Sequence, residues 1–389
     1  MSAVPAASDG AAALPPLGLY IHFPWCVRKC PYCDFNSHEA GDAIPEEAYV
    51  DALLRDLDRA RSAVAGREIV SVFLGGGTPS LFSAAAVARL LDAVRARLSL
   101  DGAAEITLEA NPGTAEARHF AGYRRAGVNR LSLGVQSFDD DSLRRLGRIH
   151  NGIDARHAFE MAREAGFDNI NLDLMYGLPE QSPAMAAADL ETAAALAPEH
   201  LSWYQLTLEP NTVFYAKPPE LPREDGIAAM QERGEARLAA GGYRRYEVSA
   251  WAVSGREARH NLNYWEFGDY LGLGAGAHSK LTDAGGRITR SARHRIPRRY
   301  METAGEDAVV TAERCLDEED RVVEFMLNAL RLLQGFEPAQ FEQRTGLSLE
   351  RIRTPLAEAR RRGLLRDAGG RIEPTPRGTQ YLNDLLQLF

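Results

Sequence analysis

Lysine is nearly absent from this 389-residue chain: Lys29, Lys217 and Lys280 are the only three, which leaves arginine as 42 of the 45 basic side chains. Arginines scattered over solvated faces follow from codon preference and carry no recognition meaning by themselves. Positive charge is not in excess either, since 45 basic against 54 acidic side chains give a net charge of −9. That balance excludes a protein devoted to non-specific nucleic-acid binding, which needs a cationic footprint. No apolar run approaches the ~20 residues that cross a bilayer. Residues 1–16 (MSAVPAASDGAAALPP) lack the basic start and apolar centre of a signal peptide. They are expected to form a loose leader, and the protein to be soluble and cytoplasmic. Cysteine is scarce as well: four residues are too few for a disulfide scaffold in a chain of this size. What is present is ordinary globular material, 45% hydrophobic and 25% charged, which excludes disordered and fibrous classes. The length suits one large α/β domain of ~200 to 250 residues with something smaller attached.

Strand-like runs alternate with helical patterns from Leu17 onward. The runs are Leu17 to His22, Ile69 to Leu74, Glu105 to Glu109, Arg130 to Val135, Asn169 to Met175 and Leu201 to Leu208. Between them, spacings such as Val87, Leu90, Leu91, Val94 and Leu98 put an apolar stripe on one helix face. Asp139 to Asp141 form a candidate N-cap cluster. Six strand-helix units in series predict a parallel sheet curled into a partial (β/α)6 barrel over residues 17–225, because parallel strands need crossover helices. Residues 226–305 are expected to be a small α+β region with one strand at Tyr243 to Ala250. Residues 306–389 read as helices at Asp317 to Leu333, Pro338 to Thr345 and Leu349 to Arg362, a short hairpin, and a last helix at Gln380 to Leu388. That order predicts a winged-helix-like module. Residues 337–389 hold nine arginines and seven acids, so small an excess that a packed structural module is favoured over DNA binding.

Three of the cysteines, Cys26, Cys30 and Cys33, crowd into the loop after the first predicted strand. Thiolates spaced x3 and x2 apart all reach one metal centre, yet no fourth cysteine is near. Zinc closed by His22 or His38 is one reading, and a disulfide with a spare thiol is another. An iron-sulfur cluster with one open iron is favoured, since soft thiolates select it. Cys315 reads as a lone thiol without a role.

The cysteine spacing, with Tyr32 before the last cysteine, resembles the radical S-adenosylmethionine (SAM) superfamily. The resemblance implies a 4Fe-4S cluster on Cys26, Cys30 and Cys33, and SAM on the open iron. It implies SAM contacts from Tyr20, Tyr32, Gly76, Gly77 and Thr78 of the GGGTP segment, Glu109, Gln136, Arg148 and Asp173. Nearly all fall at or beyond the C-terminal ends of predicted strands, where barrels place their chemistry. Within the superfamily, LYIHFPWC, GGGTPS, RLSLGVQSF and DLMYGLPEQ are shared by oxygen-independent coproporphyrinogen III dehydrogenases and by the HemW group, proposed haem chaperones. The dehydrogenases carry a fourth cysteine two residues after the third and a long N-terminal extension. Here Phe35 stands at that position and 25 residues precede Cys26, which disfavours dehydrogenase activity. His260-Asn261-Leu262-Asn263-Tyr264-Trp265 resembles the HNxxYW motif of the HemW group. A histidine beside aromatics is ordinarily a structural residue; the motif implies His260 as a haem ligand, with flat apolar surface from Tyr264 and Trp265. His278 is a second, weaker candidate. The resemblance further implies haem as cargo, recipient haemoproteins that include membrane respiratory proteins, a homodimeric form, peripheral membrane contact and no nucleic-acid partner.

Overall fold

In the computed structural model, residues 14–41, 43–113 and 117–389 are described; most of the expected leader, residues 1–13, lies outside them. The six predicted strands form as β1 (Leu17–Phe23), β2 (Glu68–Gly76), β3 (Ser99–Ala110), β4 (Arg130–Gln136), β5 (Ile170–Tyr176) and β6 (His200–Gln205). Each pairs with the next in parallel. Their near-continuous apolar runs are what strands covered on both faces require, and Leu19, Ile21, Val72, Leu74, Leu108, Leu131, Leu133 and Leu172 are all buried. Among the covering helices, α1 (Glu46–Ala60) buries Tyr49, Leu53 and Leu57, and α2 (Ala84–Arg97) buries Val87, Leu90, Leu91 and Val94. Ser83 caps α2 by accepting from the Ala86 amide at 3.2 Å, which satisfies one of its orphan donors. Asp139 likewise accepts from Ser142 N at 2.8 Å.

The sheet continues past both ends of the six strands. β7 (Arg244–Glu247) and β8 (Ala250–Ala252) add antiparallel strands beside β6. The single strand expected at Tyr243 to Ala250 is thus two strands. The Glu247 carboxylate accepts from the Ser249 amide at 2.9 Å and the Arg245 guanidinium donates to Val248 O at 2.5 Å, which stabilises the reversal between them. On the other side β9 (Asp269–Leu273) pairs with β1 in parallel, a seventh parallel strand. β10 (His278–Thr282), β11 (Ile288–Arg293) and β12 (Val310–Cys315) follow as an antiparallel series. The order across the twelve strands is β12-β11-β10-β9-β1-β2-β3-β4-β5-β6-β8-β7. Residues from β2 through β8 nevertheless line one cavity. Five strand spacings of about 4.8 Å would hold them far apart in a flat sheet, so the sheet curls into an open, partial barrel.

Asp269 fixes the added edge. It is fully buried and accepts from Lys280 Nζ at 3.0 Å, Arg67 Nη1 at 2.8 Å and Thr282 Oγ1 at 2.8 Å. Two cations on one buried carboxylate tie β9 to β10 and to the loop before β2.

The C-terminal residues form their own apolar cluster around Phe325, Phe336, Phe341, Leu356 and Ile372. The helix expected at Asp317 to Leu333 ends at Ala329, because Leu333 N donates to Tyr246 O at 3.1 Å and draws the chain onto the sheet. The helix expected at Leu349 to Arg362 opens with a 3-10 turn at Leu349–Ile352, and the last one breaks at Tyr381. A hairpin of Leu365–Ala368 and Arg371–Pro374 stands between them. Arg360, Arg361, Arg362, Arg366 and Arg371 are all ion-paired to acids of the same region. Among the described residues no helix is long and apolar enough to cross a membrane.

Candidate functional site: a cysteine loop over a barrel cavity

The cysteine loop is held at both ends. Trp25–Cys26 pairs with His38–Glu39, and Lys29 Nζ donates to Phe35 O at 3.2 Å and Ser37 O at 3.3 Å. In its middle, Phe214 N donates to Pro31 O at 3.0 Å, and Tyr32 packs into an apolar cluster with Leu146, Met175 and Phe214. Cys26 is buried, Cys30 and Cys33 are half-buried, and all three are free thiols. Burial raises the Cys26 and Cys33 thiols above the usual range, so a bound cation is needed to favour the thiolates. Among the described residues no three His, Cys, Asp or Glu side chains converge tightly enough to hold a single metal ion. The three thiols instead line one cavity of about 340 Å³. His22 and His38 do not complete a zinc site. Both His22 nitrogens are engaged, with Tyr20 Oη at 2.9 Å and Asn36 O at 2.8 Å, and His38 Nε2 lies 3.3 Å from Arg295 O.

Below the loop, the glycines at the end of β2 let the chain continue close alongside the end of β1. A Cβ on Gly77 would lie 2.5 Å from Trp25 O, and one on Gly76 would lie 2.4 Å from the His22 ring. The close approach these glycines allow is therefore to the protein itself. Gly77 N donates to Phe23 O and Thr78 N to Trp25 O, both at 2.7 Å. Gly77→Ala is expected to displace this pairing and to cost about 1–3 kcal/mol, as overpacking does, read as a lower urea midpoint with an unchanged slope.

The cavity wall is polar and acidic. Glu109 accepts from Gly76 N at 3.0 Å; burial and the neighbouring Asp173 carboxylate push it up to about 8. Asp173 accepts from Ser132 Oγ at 3.0 Å and Asn171 Nδ2 at 2.9 Å. Gln136 sits at φ 69°, an uncommon backbone state for a non-glycine residue that clusters at functional sites, and its Oε1 accepts from Tyr204 Oη at 3.0 Å. Arg148 donates to Asn111 Oδ1 at 2.7 Å, Gly134 O at 2.6 Å and Cys30 Sγ at 3.6 Å, while its buried Nε has no partner among the described residues.

Eleven of the thirteen predicted site residues line this cavity: Cys26, Cys30, Tyr32, Cys33, Gly76, Gly77, Thr78, Glu109, Gln136, Arg148 and Asp173. Tyr20 and His260 do not. Tyr20 lines a second, neighbouring cavity of about 550 Å³ together with Tyr264 and His278. His260 lies on α3 (Arg259–Trp265), is 1% exposed and lines neither cavity. Its Nδ1 is 2.9 Å from Ser71 Oγ, its ring stacks on Phe73 at 5.0 Å, and its Nε2 has no partner among the described residues. Burial lowers its pKa to about 3 and keeps the ring neutral. Trp265 sits under Arg331 at 4.4 Å, against the C-terminal module, so Tyr264 alone of the motif's aromatic pair reaches a cavity. Sequence reasoning missed Asn111, Ser132, Ser202, Tyr204 and Ser249, which also line the first cavity; a polar residue at a strand end gives no signal distinguishing a lining role from a cap.

A curled α/β sheet with a three-cysteine loop over the C-terminal ends of its parallel strands defines a radical SAM protein, and the Radical SAM superfamily is matched over residues 20–193, with the HemN C-terminal domain over residues 316–381. Coproporphyrinogen III oxidase (HemN) from Escherichia coli, a solved structure, superposes with a TM-score of 0.81 at 25% identity, covering 97% of this chain and 91% of that one. The similarity to heme chaperone HemW of Escherichia coli is greater, 50% identity over 97% of this chain and 98% of that protein. Heme chaperone HemW of Bacillus subtilis is 34% identical over 95% and 98%. The chain belongs to the HemW family.

Proposed function

We propose that this protein is a haem chaperone: it binds haem and passes it to recipient haemoproteins, and it carries a 4Fe-4S cluster with SAM in the barrel cavity. The observation that carries the reading against porphyrinogen oxidation is Phe35, 62% exposed and lining the mouth of the cysteine cavity, where the related dehydrogenases bear a further thiol. Cys26, Cys30 and Cys33 would hold the cluster. Such a cluster supplies one-electron chemistry and an open coordination position. The chain's own residues fit the ligands. Half-buried Glu109 and Asp173 make an acidic wall suited to a cationic sulfonium, Arg148 holds Cys30 in place, and Gln136 with Tyr204 presents fixed polar groups to a bound nucleoside. His260 stands behind the wall of the second cavity, stacked at 6.5 Å on Tyr20 and edge-on at 4.9 Å to Tyr264. Recipients at the respiratory membrane, a homodimeric form and a cytoplasmic location with peripheral membrane contact complete the reading.

The test uses protein reconstituted without oxygen. It is expected to bind haemin with a stable Soret band and to leave coproporphyrinogen III unconsumed in the presence of SAM and reductant. Robust turnover without stable haemin binding would overturn the reading in favour of a dehydrogenase.

A further inference from the structure

The second cavity lies between the cysteine loop and the strands β9 to β11. Its volume of about 550 Å³ falls within the roughly 300–1,000 Å³ of small-molecule sites. Tyr20, Phe35, Tyr264 and Tyr270 give it aromatic walls, and Tyr264 and Tyr270 meet edge to face at 4.4 Å. His278 opens β10 at the wall, exposed, and its imidazole has no hydrogen-bond partner among the described residues. Of the arginines around it, Arg290 is engaged by Glu324 at 2.8 Å and by Tyr270, and Arg293 by Asp56 at 3.1 Å. Arg295, exposed and also lining the cavity, keeps a guanidinium without a partner among the described residues. Burial and then Arg290, Arg295 and Arg293 lower the pKa of His278, so its ring is neutral and able to donate a lone pair.

Flat apolar walls, an open neutral imidazole and one free cation at the same cavity match a planar ferric porphyrin bearing carboxylates. We propose that haem binds in this second cavity, with His278 as the axial ligand to its iron and Arg295 receiving a propionate. The proposal rests on the haem-chaperone reading and names the site for it. His260 is then a positioning residue. Its Nε2 is sealed within the barrel, and the ring serves to hold Tyr20 and Tyr264 at the cavity wall. Phe35 lines both cavities, so haem seated here would lie beside the cysteine loop.

The experiment is a titration of the full-length, anaerobically reconstituted protein with haemin chloride, followed by absorption and electron paramagnetic resonance. His278→Ala is expected to weaken haemin binding by about ten-fold or more, a loss of ~1.4 kcal/mol or more, and to change the Soret position and spin state. Added imidazole is expected to restore the wild-type spectrum, which a merely structural loss would not allow. Arg295→Glu is expected to weaken binding with the ligation spectrum unchanged, and His260→Ala to keep the wild-type Soret position even where affinity falls. Wild-type affinity and spectrum in His278→Ala would overturn the proposal while leaving the chaperone reading intact. Failure of the wild-type protein to bind haemin would overturn both.

Discussion

Alanine at any one of Cys26, Cys30 or Cys33 is expected to reduce reconstituted iron and acid-labile sulfide to near background and to abolish the cluster's absorption, whereas Cys315→Ala is expected to leave both unchanged. The contrast follows from where the four thiols stand. Cys26, Cys30 and Cys33 line one cavity mouth on a loop pinned by Lys29, Pro31 and the Trp25–Cys26 pairing. Cys315 is exposed on β12, at the far edge of the sheet. With no fourth cysteine in the loop, each of the three is required, since two thiolates would leave half the irons of a cubane without a protein ligand. Protein folding is a separate readout, because Cys30 and Cys33 are only half-buried and their truncation opens no core void. Unchanged thermal melts of the metal-free variants, together with lost iron, would identify the thiols as ligands. Full iron incorporation in Cys30→Ala or Cys33→Ala would contradict the assignment.

The parts of this site legible in the sequence are those encoded locally. Short, near-continuous apolar runs marked all six parallel strands, because a strand buried on both faces must be apolar within a few consecutive residues. The cysteine loop was legible because its three ligands share eight positions. What escaped was non-local. The parallel pairing of β9 with β1 joins Leu17 to Asp269, and no short window contains both. The second cavity, which Tyr20 lines, depends on that pairing. The HNxxYW segment shows the same limit within one helix turn. His260 and Tyr264, four residues apart, share a face of α3 and meet at 4.9 Å, as helical spacing requires. Trp265, one residue on, is turned toward the C-terminal module. The motif is visible in sequence, but which of its side chains meets a cavity is decided by packing against Phe73 and Arg331.

Glu109→Gln is expected to reverse two properties at once. In the metal-free protein Glu109 is pushed up to about 8 by burial and by Asp173. The folded state therefore holds a proton that the unfolded chain releases near pH 4 to 5, and folding stability falls as pH rises from there to about 8. Glutamine carries no such proton and still offers an amide oxygen to Gly76 N. Its variant should match the wild type at pH 4 and exceed it at pH 8 by on the order of 4 kcal/mol, at 1.36 kcal/mol per pH unit. Denaturant melts across this range read the difference directly. Binding moves the other way. A cationic ligand facing Glu109 favours the carboxylate, so SAM affinity of the reconstituted wild type should rise with pH up to about 8 and its binding should release a proton. The variant should bind SAM more weakly and without proton release, measured by calorimetry in buffers of different ionisation enthalpy. A carboxylate that destabilises the empty fold yet strengthens ligand binding is a binding residue in the sense that strain at functional sites implies. Equal pH slopes in the two proteins would show that Glu109 is ionised throughout, and would remove the argument that the cavity awaits a cation.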